Sequence, residues 1–191
     1  MIYKIIEITN MKIGIISDTH DDISNTNKAI DIFKENNVEA VLHAGDIISP
    51  PIILEFKRLT DLGIKFFGIL GNNDGEEQGL KSMFKQINGN FLGVEGKIDI
   101  DDLRIGIYHG QDLKKKQKMI DSGKFDVFIY GHTHTRDPQE ERPNYQGKTL
   151  VLNPGSAHRA EKSLMSNRSY FKEPSVLIFD TVSKEIKFHY L

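Results

Sequence analysis

Five short polar motifs follow one another along this chain, and each contains side chains that can bind a metal ion. Aspartate, asparagine and histidine supply oxygen and nitrogen ligands for divalent cations, and the chain contains no cysteine. Taken singly, each motif could be an ordinary turn, but together they predict a metal site. The motifs are Asp18-Thr19-His20, Gly45-Asp46, Gly71-Asn72-Asn73-Asp74, His109-Gly110 and Gly131-His132-Thr133-His134.

Two carboxylates, one amide and four imidazoles make up the candidate ligand set. Asp18 and His20 are two residues apart just after a strand-like run, so their side chains point to the same side. Gly45 lets the backbone turn tightly and bring Asp46 close, and a carboxylate can bridge two ions because it has two oxygens. The predicted metal ligands are Asp18, His20, Asp46, Asn72, His109, His132 and His134.

Several other polar residues are candidates for supporting roles. His43 is interpreted as a packed histidine that supports the ligands rather than as a ligand. His158 and Arg159 follow the turn Asn153-Pro154-Gly155-Ser156 and could contact a bound phosphate, with a solvated loop as the alternative interpretation. His189 is interpreted as structural.

The motifs need strands to position them, and each follows an apolar, β-branched run. Helical patterns lie between several of these runs, with Ser24 as the predicted cap of the first helix and Pro50-Pro51 opening the second. Strands that alternate with helices indicate an α/β architecture. The predicted strands are 12–17, 40–43, 64–70, 104–109, 127–130 and 149–152, and two further helices are predicted over 75–86 and 112–122.

Later in the chain the pattern changes from alternation to hairpins. Residues 98–100 with 104–109, and 176–179 with 186–190, are predicted hairpins with turns at Asp101-Asp102 and near Ser183-Lys184. Hairpins add antiparallel pairs to a parallel sheet. We therefore predict two packed mixed β-sheets flanked by helices, with loops over 135–147 and 155–174.

Composition is that of an ordinary globular protein. The chain has 191 residues, 38% hydrophobic and 27% charged, and a formal net charge of -2, which favours neither disorder nor general attraction to nucleic acid. No apolar run approaches the roughly 20 residues of a membrane helix, and the N-terminus lacks the features of a signal peptide. We expect one domain over residues 1–191 in the cytoplasm, with residues 1–10 as an extension or an edge strand that could pair in a homodimer.

The ordered motifs resemble those of the calcineurin-like metallophosphoesterase superfamily, which has D-x-H, G-D, G-N-x-D, H and G-H-x-H in this order. The short chain and the Asn153-Pro154-Gly155-Ser156 run resemble the small single-domain bacterial and archaeal phosphodiesterases of that group. The resemblance extends from about Met11 to the C-terminus. It implies two mixed sheets packed face to face with helices outside.

The resemblance also implies a ligand assignment and a reaction. One ion would take Asp18, His20, Asp46 and His134, and the other would take Asp46, Asn72, His109 and His132. The implied reaction is hydrolysis of a small phosphodiester by a metal-bridging hydroxide, at a site whose charge of about +2 suits a phosphate ester. Mn²⁺ is the first expectation for the metal, with Ni²⁺, Fe²⁺ or Zn²⁺ as alternatives.

One departure from the family pattern concerns the leaving group. Many relatives have a histidine where this chain has Asn73, and an amide cannot donate a proton as an acid near neutral pH. No catalytic side chain is therefore assigned with certainty. Asn73 and Asp74 are expected near the leaving group, and Asp74, His43 or a metal-bound water could replace the missing acid.

Two other functions compete with the phosphodiesterase. The fold group includes Vps29, a retromer subunit that serves as an interaction scaffold, although the complete ligand set of this chain favours catalysis. A phosphomonoesterase ranks lower because such relatives carry the histidine that Asn73 replaces. A nuclease is disfavoured because the charge balance does not suit a nucleic-acid groove.

Overall fold

Two mixed β-sheets form the frame of the protein, as the strand-and-hairpin pattern predicts. The computed structural model describes residues 11–159 and 173–191 of the chain. The first sheet has the order β11-β10-β1-β2-β3-β4, and the second has the order β5-β6-β7-β9-β8. The strands are β1 Lys12–Ile16, β2 Ala40–His43, β3 Lys65–Gly68, β4 Asn90–Phe91, β5 Glu95–Ile100, β6 Leu103–Tyr108, β7 Val127–Ile129, β8 Tyr145–Gln146, β9 Thr149–Leu152, β10 Ser175–Asp180 and β11 Ile186–Tyr190.

Each sheet has a parallel centre, and this decides where the loops meet. In the first sheet β1 to β4 are parallel, and the β10–β11 hairpin joins antiparallel to β1. In the second sheet β6, β7 and β9 are parallel, with β5 and β8 antiparallel at the edges. Parallel strands present their carboxyl ends at one edge of a sheet, so loops after consecutive strands come together there.

Apolar residues form three layers of core. One layer lies between the sheets, where Ile13 and Ile15 of β1 pack in one cluster with Ile105, Ile107 and other residues of the second sheet. A second cluster joins the first sheet to its helices and includes Phe33, Phe56, Phe66 and Phe84. A third, smaller cluster covers the outer face of the second sheet. Strands buried on both faces explain why the predicted strands are continuous apolar runs rather than alternating ones.

The helices occupy the predicted places with two differences. The helices are α1 Ile23–Glu35, α2 Lys57–Thr60, α3 Glu77–Gln86 and α4 Leu113–Asp121. The predicted cap Ser24 is wrong: Asp22 caps α1, because its side chain accepts from the backbone N–H of Asn25 at 2.9 Å. The segment opened by Pro50-Pro51 begins as a 3₁₀ helix, Pro50–Phe56, which runs directly into α2.

The predicted loops and termini are described in part. Residues 135–147 contain the short strand β8, while much of the predicted loop 155–174 lies outside the described residues. The prediction for residues 1–10, with its edge strand and homodimer, also lies outside them. Among the described residues, no helix is long and apolar enough to span a membrane.

Candidate metal centre

The five motifs meet at the carboxyl ends of the parallel strands. Asp18 follows β1, Asp46 follows β2 and Asn72 follows β3, whereas His109 and His132 follow strands of the second sheet. Side chains of the two sheets come within reach of each other at this edge. The distance from His134 Nε2 to Asp18 Oδ1 is 3.2 Å, and His109 Nε2 is 3.3 Å from Asp46 Oδ2.

Five of the seven predicted ligands form two overlapping groups with the spacing of a metal site. The first group contains Asp18, His20 and His134; the second contains Asp18, Asp46 and His109. Within each group, the ligand atoms all lie within 4.8 Å of one another. Asp18 belongs to both groups, whereas the sequence prediction gives the shared position to Asp46.

The two remaining predicted ligands lie next to these groups. The His132 ring packs edge-on against His109, with centroids 5.2 Å apart. The backbone N–H of His132 donates to Asp18 Oδ2 at 3.1 Å. Asn72 is exposed in the turn that follows β3. His132 therefore borders the cluster, and Asn72 precedes Asn73, whose N–H donates to Asp46 Oδ1. The predicted role of both residues as ligands to the second ion stays a prediction.

Buried polar atoms without hydrogen bonds show that this cluster fits a cation. Asp18 Oδ1, His20 Nε2 and His109 Nε2 are buried and have no hydrogen-bond partner among the described residues. Such atoms are costly unless something else satisfies them. His109 Nδ1 donates to the carbonyl oxygen of Ala44 at 2.7 Å, which leaves the lone pair of Nε2 for a ligand. An oxygen and two nitrogens converge in this way, and this donor set suits a divalent cation.

The surroundings shift the pKa values of these groups in different directions. Burial acts to raise the pKa of Asp46, but interactions with His109 and Asn73 outweigh it and lower the pKa. Burial lowers the pKa of His20, which favours the neutral imidazole that binds metals. The pKa of His134 is raised, chiefly by Asp18. For His109, burial is outweighed by the nearby carboxylates, and the pKa is also raised.

Five of the seven predicted ligands have a positive φ. Residues other than glycine rarely have a positive φ, because Cβ then clashes with the backbone. Strain of this kind is typical of functional sites, where the surrounding structure enforces it. The positive φ angles at predicted ligands are 53° at Asp18, 42° at His20, 56° at Asp46, 65° at His132 and 53° at His134.

Two glycines allow the loops of the cluster to approach closely. A Cβ at Gly71 would lie 2.1 Å from Asp46 Oδ1, and a Cβ at Gly131 would lie 1.9 Å from Ser17 Oγ. Real Cβ contacts are never this short, so a side chain at either position would displace a ligand loop. The glycines in the G-N and G-H motifs are thus required by packing against the two aspartate loops.

Asp74 has a role that the sequence analysis missed. From the sequence alone, Asp74 is a candidate substitute acid near the leaving group. In the structure, its carboxylate instead accepts hydrogen bonds from four backbone N–H groups. Oδ1 accepts from Ile47 and Ile48, both at 2.7 Å, and Oδ2 accepts from Asp46 at 3.0 Å and Gly71 at 2.7 Å. Asp74 therefore ties the loop after β2 to the loop after β3.

Asn73 contacts the carboxylate of Asp46 directly. Its backbone N–H donates to Oδ1 at 2.8 Å, and its side-chain amide donates to Oδ2 at 2.7 Å. Asn73 therefore orients a predicted ligand in this structure. Its predicted contact with substrate stays a prediction.

His43 lies beneath the cluster and is fully buried. Its Nδ1 accepts from the backbone N–H of Gly45 at 3.2 Å, and its Nε2 is 3.1 Å from Thr19 Oγ1. Burial lowers the pKa of His43 to about 3. With both nitrogens engaged inside the protein, His43 supports the two aspartate loops and is not placed to protonate a leaving group.

His158 and Arg159 lie on the same side as the first ligand group. The His158 ring is 5.6 Å from the His20 ring between centroids. Arg159 is exposed, and its backbone N–H lies 3.5 Å from Asp22 Oδ2. The predicted phosphate contact of these two residues stays a prediction.

Comparisons with known proteins agree with this geometry. A sequence model of the calcineurin-like phosphoesterase superfamily domain matches residues 11–184. The phosphodiesterase MJ0936 of Methanocaldococcus jannaschii is 40% identical over 178 residues, which cover 93% of this chain and 97% of that protein. A solved archaeal phosphodiesterase superposes with a TM-score of 0.78 at 38% identity, over 95% of this chain and 100% of that one. Vps29 of Chaetomium thermophilum shares the fold, with a TM-score of 0.60 at 14% identity over 95% and 97% of the chains.

Proposed function

This chain belongs to the calcineurin-like phosphoesterase superfamily, and from that premise we propose that it is a dinuclear-metal-dependent phosphodiesterase acting on a small phosphodiester. The observation that carries the proposal is the convergence of Asp18 Oδ1, His20 Nε2 and His109 Nε2, which are buried without hydrogen bonds. The phosphodiesterase relative at 40% identity supports the choice of reaction.

Each ion would be held by ligands from both sheets. Asp18, His20, Asp46 and His134 would hold the first ion, and Asp46, Asn72, His109 and His132 would hold the second. The donors are oxygen and nitrogen with no sulfur, which favours Mn²⁺ first and Ni²⁺, Fe²⁺ or Zn²⁺ as alternatives.

When bound, two divalent ions supply positive charge for the developing negative charge of the phosphoryl group and activate a water molecule at neutral pH. The residues of this chain contribute position. His109 is held in one orientation by its bond to the carbonyl of Ala44, and Asp46 is held by the two N–H groups of Asn73. Ligands that are fixed in this way need little reorganisation when charge develops.

The leaving group receives little help from this chain. Asn73 stands where many relatives have a histidine, Asp74 is engaged with backbone N–H groups, and His43 is buried. General acid catalysis commonly contributes about 10²–10⁴-fold. We therefore expect aryl esters, whose leaving groups need no proton, to be cleaved much faster than alkyl esters.

Hydrolysis of two model substrates tests the proposal. Metal-stripped protein is assayed on bis-p-nitrophenyl phosphate and on p-nitrophenyl phosphate, each with and without Mn²⁺. Metal-dependent cleavage of the diester and little of the monoester is expected. The variant Asp18→Asn should lose this activity, whereas His189→Gln, on β11, should keep it.

The rival functions predict different results. Cleavage of the monoester at a rate equal to or above that of the diester would make the protein a phosphomonoesterase. No cleavage of either substrate with Mn²⁺ or Ni²⁺, by protein shown to bind two metal ions, would favour an interaction scaffold like Vps29.

A further inference from the structure

The imidazole of His158 lies at the rim of the metal centre without belonging to it. Its ring is 5.6 Å from that of His20, between centroids. Neither ligand group found in the described parts of the chain contains His158. The residue is therefore a neighbour of the cluster rather than one of its ligands.

The backbone fixes His158 relative to the first motif. The N–H of Ala157 donates to the carbonyl of Ser17 at 2.9 Å, and the N–H of His158 donates to the carbonyl of Asp18 at 3.1 Å. Ser156 Oγ also donates to the Asp18 carbonyl, at 3.0 Å. Because Asp18 belongs to both ligand groups, the position of His158 is set against the same backbone that positions the metal ligands.

The carboxylate of Asp22 lies beside the imidazole ring of His158. Its Oδ2 is 3.6 Å from His158 Nδ1, while its Oδ1 caps α1 through the N–H of Asn25. His158 Nδ1 is buried and has no hydrogen-bond partner among residues 11–159 and 173–191. The side chain as a whole is 32% exposed although Nδ1 is buried, so its exposure comes from the other side-chain atoms, among which Nε2 is the polar one.

We propose that His158 is a substrate contact that binds a phosphoryl oxygen of the diester, and that Asp22 is the positioning residue that holds it. The proposal rests on the proposed function. A phosphodiester has two non-bridging oxygens, and only part of their bonding capacity is used by metal ions. An imidazole N–H next to His20 supplies a further directional bond, and hydrogen bonds to charged groups are the stronger class.

The choice of His158 over its neighbours follows from the same contacts. Arg159 is exposed, and within residues 11–159 and 173–191 its one hydrogen bond is that of its backbone N–H to Asp22 Oδ2. Asn73 already donates to Asp46 from its backbone N–H and from its side-chain amide. Among these three candidates for contact with substrate, His158 combines a backbone tied to Asp18 with a side chain that is partly exposed and lies beside the His20 ring.

Three variants test the proposal in the full-length, Mn²⁺-loaded protein. His158→Gln removes the imidazole. Asp22→Asn removes the charge beside Nδ1 but keeps the cap of α1, because asparagine is as good an N-cap as aspartate. The double variant tests whether Asp22 acts through His158. For each variant we would first measure Mn²⁺ affinity and stoichiometry by calorimetry on metal-stripped protein. On the Mn²⁺-loaded protein we would then measure orthophosphate affinity by calorimetry, and KM and kcat for bis-p-nitrophenyl phosphate.

The expected result is unchanged Mn²⁺ binding with weaker phosphate binding. His158→Gln should weaken phosphate binding and raise KM by about tenfold, as expected for a hydrogen bond to a charged group. Asp22→Asn should give a smaller change in the same direction, and the double variant should match His158→Gln alone. His189→Gln is the matched control and should equal the wild type in every measurement.

Two results would overturn the proposal. If the phosphate affinity and KM of His158→Gln equal those of the wild type, His158 is no substrate contact. If His158→Gln loses one Mn²⁺, the residue is a ligand instead. A wild-type protein that binds Mn²⁺ and phosphate but cleaves no diester would refute the proposed function, while the phosphate titration would still decide the role of His158.

Discussion

At the scale of single residues, Asp74 shows how an acidic side chain of a conspicuous motif can act through other residues. Its two oxygens accept from backbone N–H groups of Asp46, Ile47, Ile48 and Gly71. Ile48 has a φ of 82°, which is unusual for a β-branched residue. The hydrogen bonds that Asp74 accepts stabilise this strained loop, and the loop sets the position of Asp46.

Asp74→Asn should therefore weaken metal binding without removing a ligand. An amide replaces one acceptor oxygen by an NH₂ group, which would face backbone donors. We expect Mn²⁺ affinity to fall by about 10–100-fold, as for other residues that orient ligands, and the free energy of unfolding to fall by about 1–3 kcal/mol. Calorimetry and urea denaturation would measure both. Asp61→Asn, which alters an exposed partner of Lys57, is the control; equal Mn²⁺ affinity in the two variants would contradict the assigned role.

Asn73→His is predicted to change the preference for leaving groups. A histidine at this position restores the acid that many relatives have, and its benefit is largest where the leaving oxygen needs a proton. We expect the ratio of kcat for 2′,3′-cyclic AMP to kcat for bis-p-nitrophenyl phosphate to rise by about tenfold or more. Asn73→Gln keeps the amide and should leave the ratio unchanged. A wild-type enzyme that already cleaves both substrates equally well would remove the basis of this prediction.

At the scale of elements, the strands could be predicted more closely than the helix ends. The bounds of β2 and β9 agree with the predicted runs, because a strand buried on both faces is a continuous apolar segment between polar turns. The start of α1 could not be fixed, because Asp22 and Ser24 are both good N-caps. The choice between them depends on a contact of the folded chain, the hydrogen bond from the Asn25 N–H to the Asp22 side chain. A rule that places the cap directly before an apolar pattern does not detect this contact.

The candidate site also has a part that the sequence predicts and a part that it does not. Residue type and order identify the candidate ligands, because few side chains bind divalent cations and their strands are recognisable. The partners of those ligands depend on the register between distant loops. Asp74 accepts hydrogen bonds from backbone N–H groups of the loop after β2. His109, which follows β6 of the second sheet, donates to the carbonyl of Ala44, which follows β2 of the first sheet. Such contacts are set by tertiary packing and leave no local pattern in the sequence.

The junction between β6 and β7 gives a prediction for stability as a function of pH. Asp126 Oδ2 accepts from the backbone N–H and Nε of Arg104, both at 2.9 Å, and Oδ1 accepts from Nη2 at 2.8 Å. Bonding to Arg104 lowers the pKa of Asp126 to about 2. The Asp126 carboxyl therefore binds a proton less tightly in the folded state than in the unfolded state, where its pKa is about 4. The contribution to stability is present above about pH 4 and is lost as pH falls towards 2.

Asp126→Asn should lower the free energy of unfolding at pH 7 by less than about 1 kcal/mol, because the pair is partly exposed. The difference from the wild type should shrink between pH 4 and pH 2. Urea denaturation at several pH values would measure this difference in the free energy of unfolding, and Asp61→Asn is the control, since Asp61 is an exposed carboxylate paired with Lys57, away from Arg104. A difference that grows as the pH falls would contradict the prediction.

At the scale of the whole molecule, the candidate metal centre lies across the two sheets. Asp18 and Asp46 follow strands of the first sheet, whereas His109 and His134 follow strands of the second. The apolar layer between the sheets joins them along their faces. An ion at the carboxyl edge would join them a second time, through ligands whose backbone is strained and whose polar atoms are buried.

Metal binding should therefore stabilise the entire fold and not only the loops. A ligand that binds only the folded state stabilises it by about 2.7 kcal/mol when its concentration is 100 times Kd. We expect the midpoint of thermal unfolding of metal-stripped protein to rise with added Mn²⁺, in one cooperative transition that includes both sheets. Asp18→Asn should lose most of this rise, because Asp18 belongs to both ligand groups, whereas Asp126→Asn should keep it. An equal rise in Asp18→Asn and in the wild type would mean that Mn²⁺ binds elsewhere, and two separate transitions would mean that the ion does not couple the sheets.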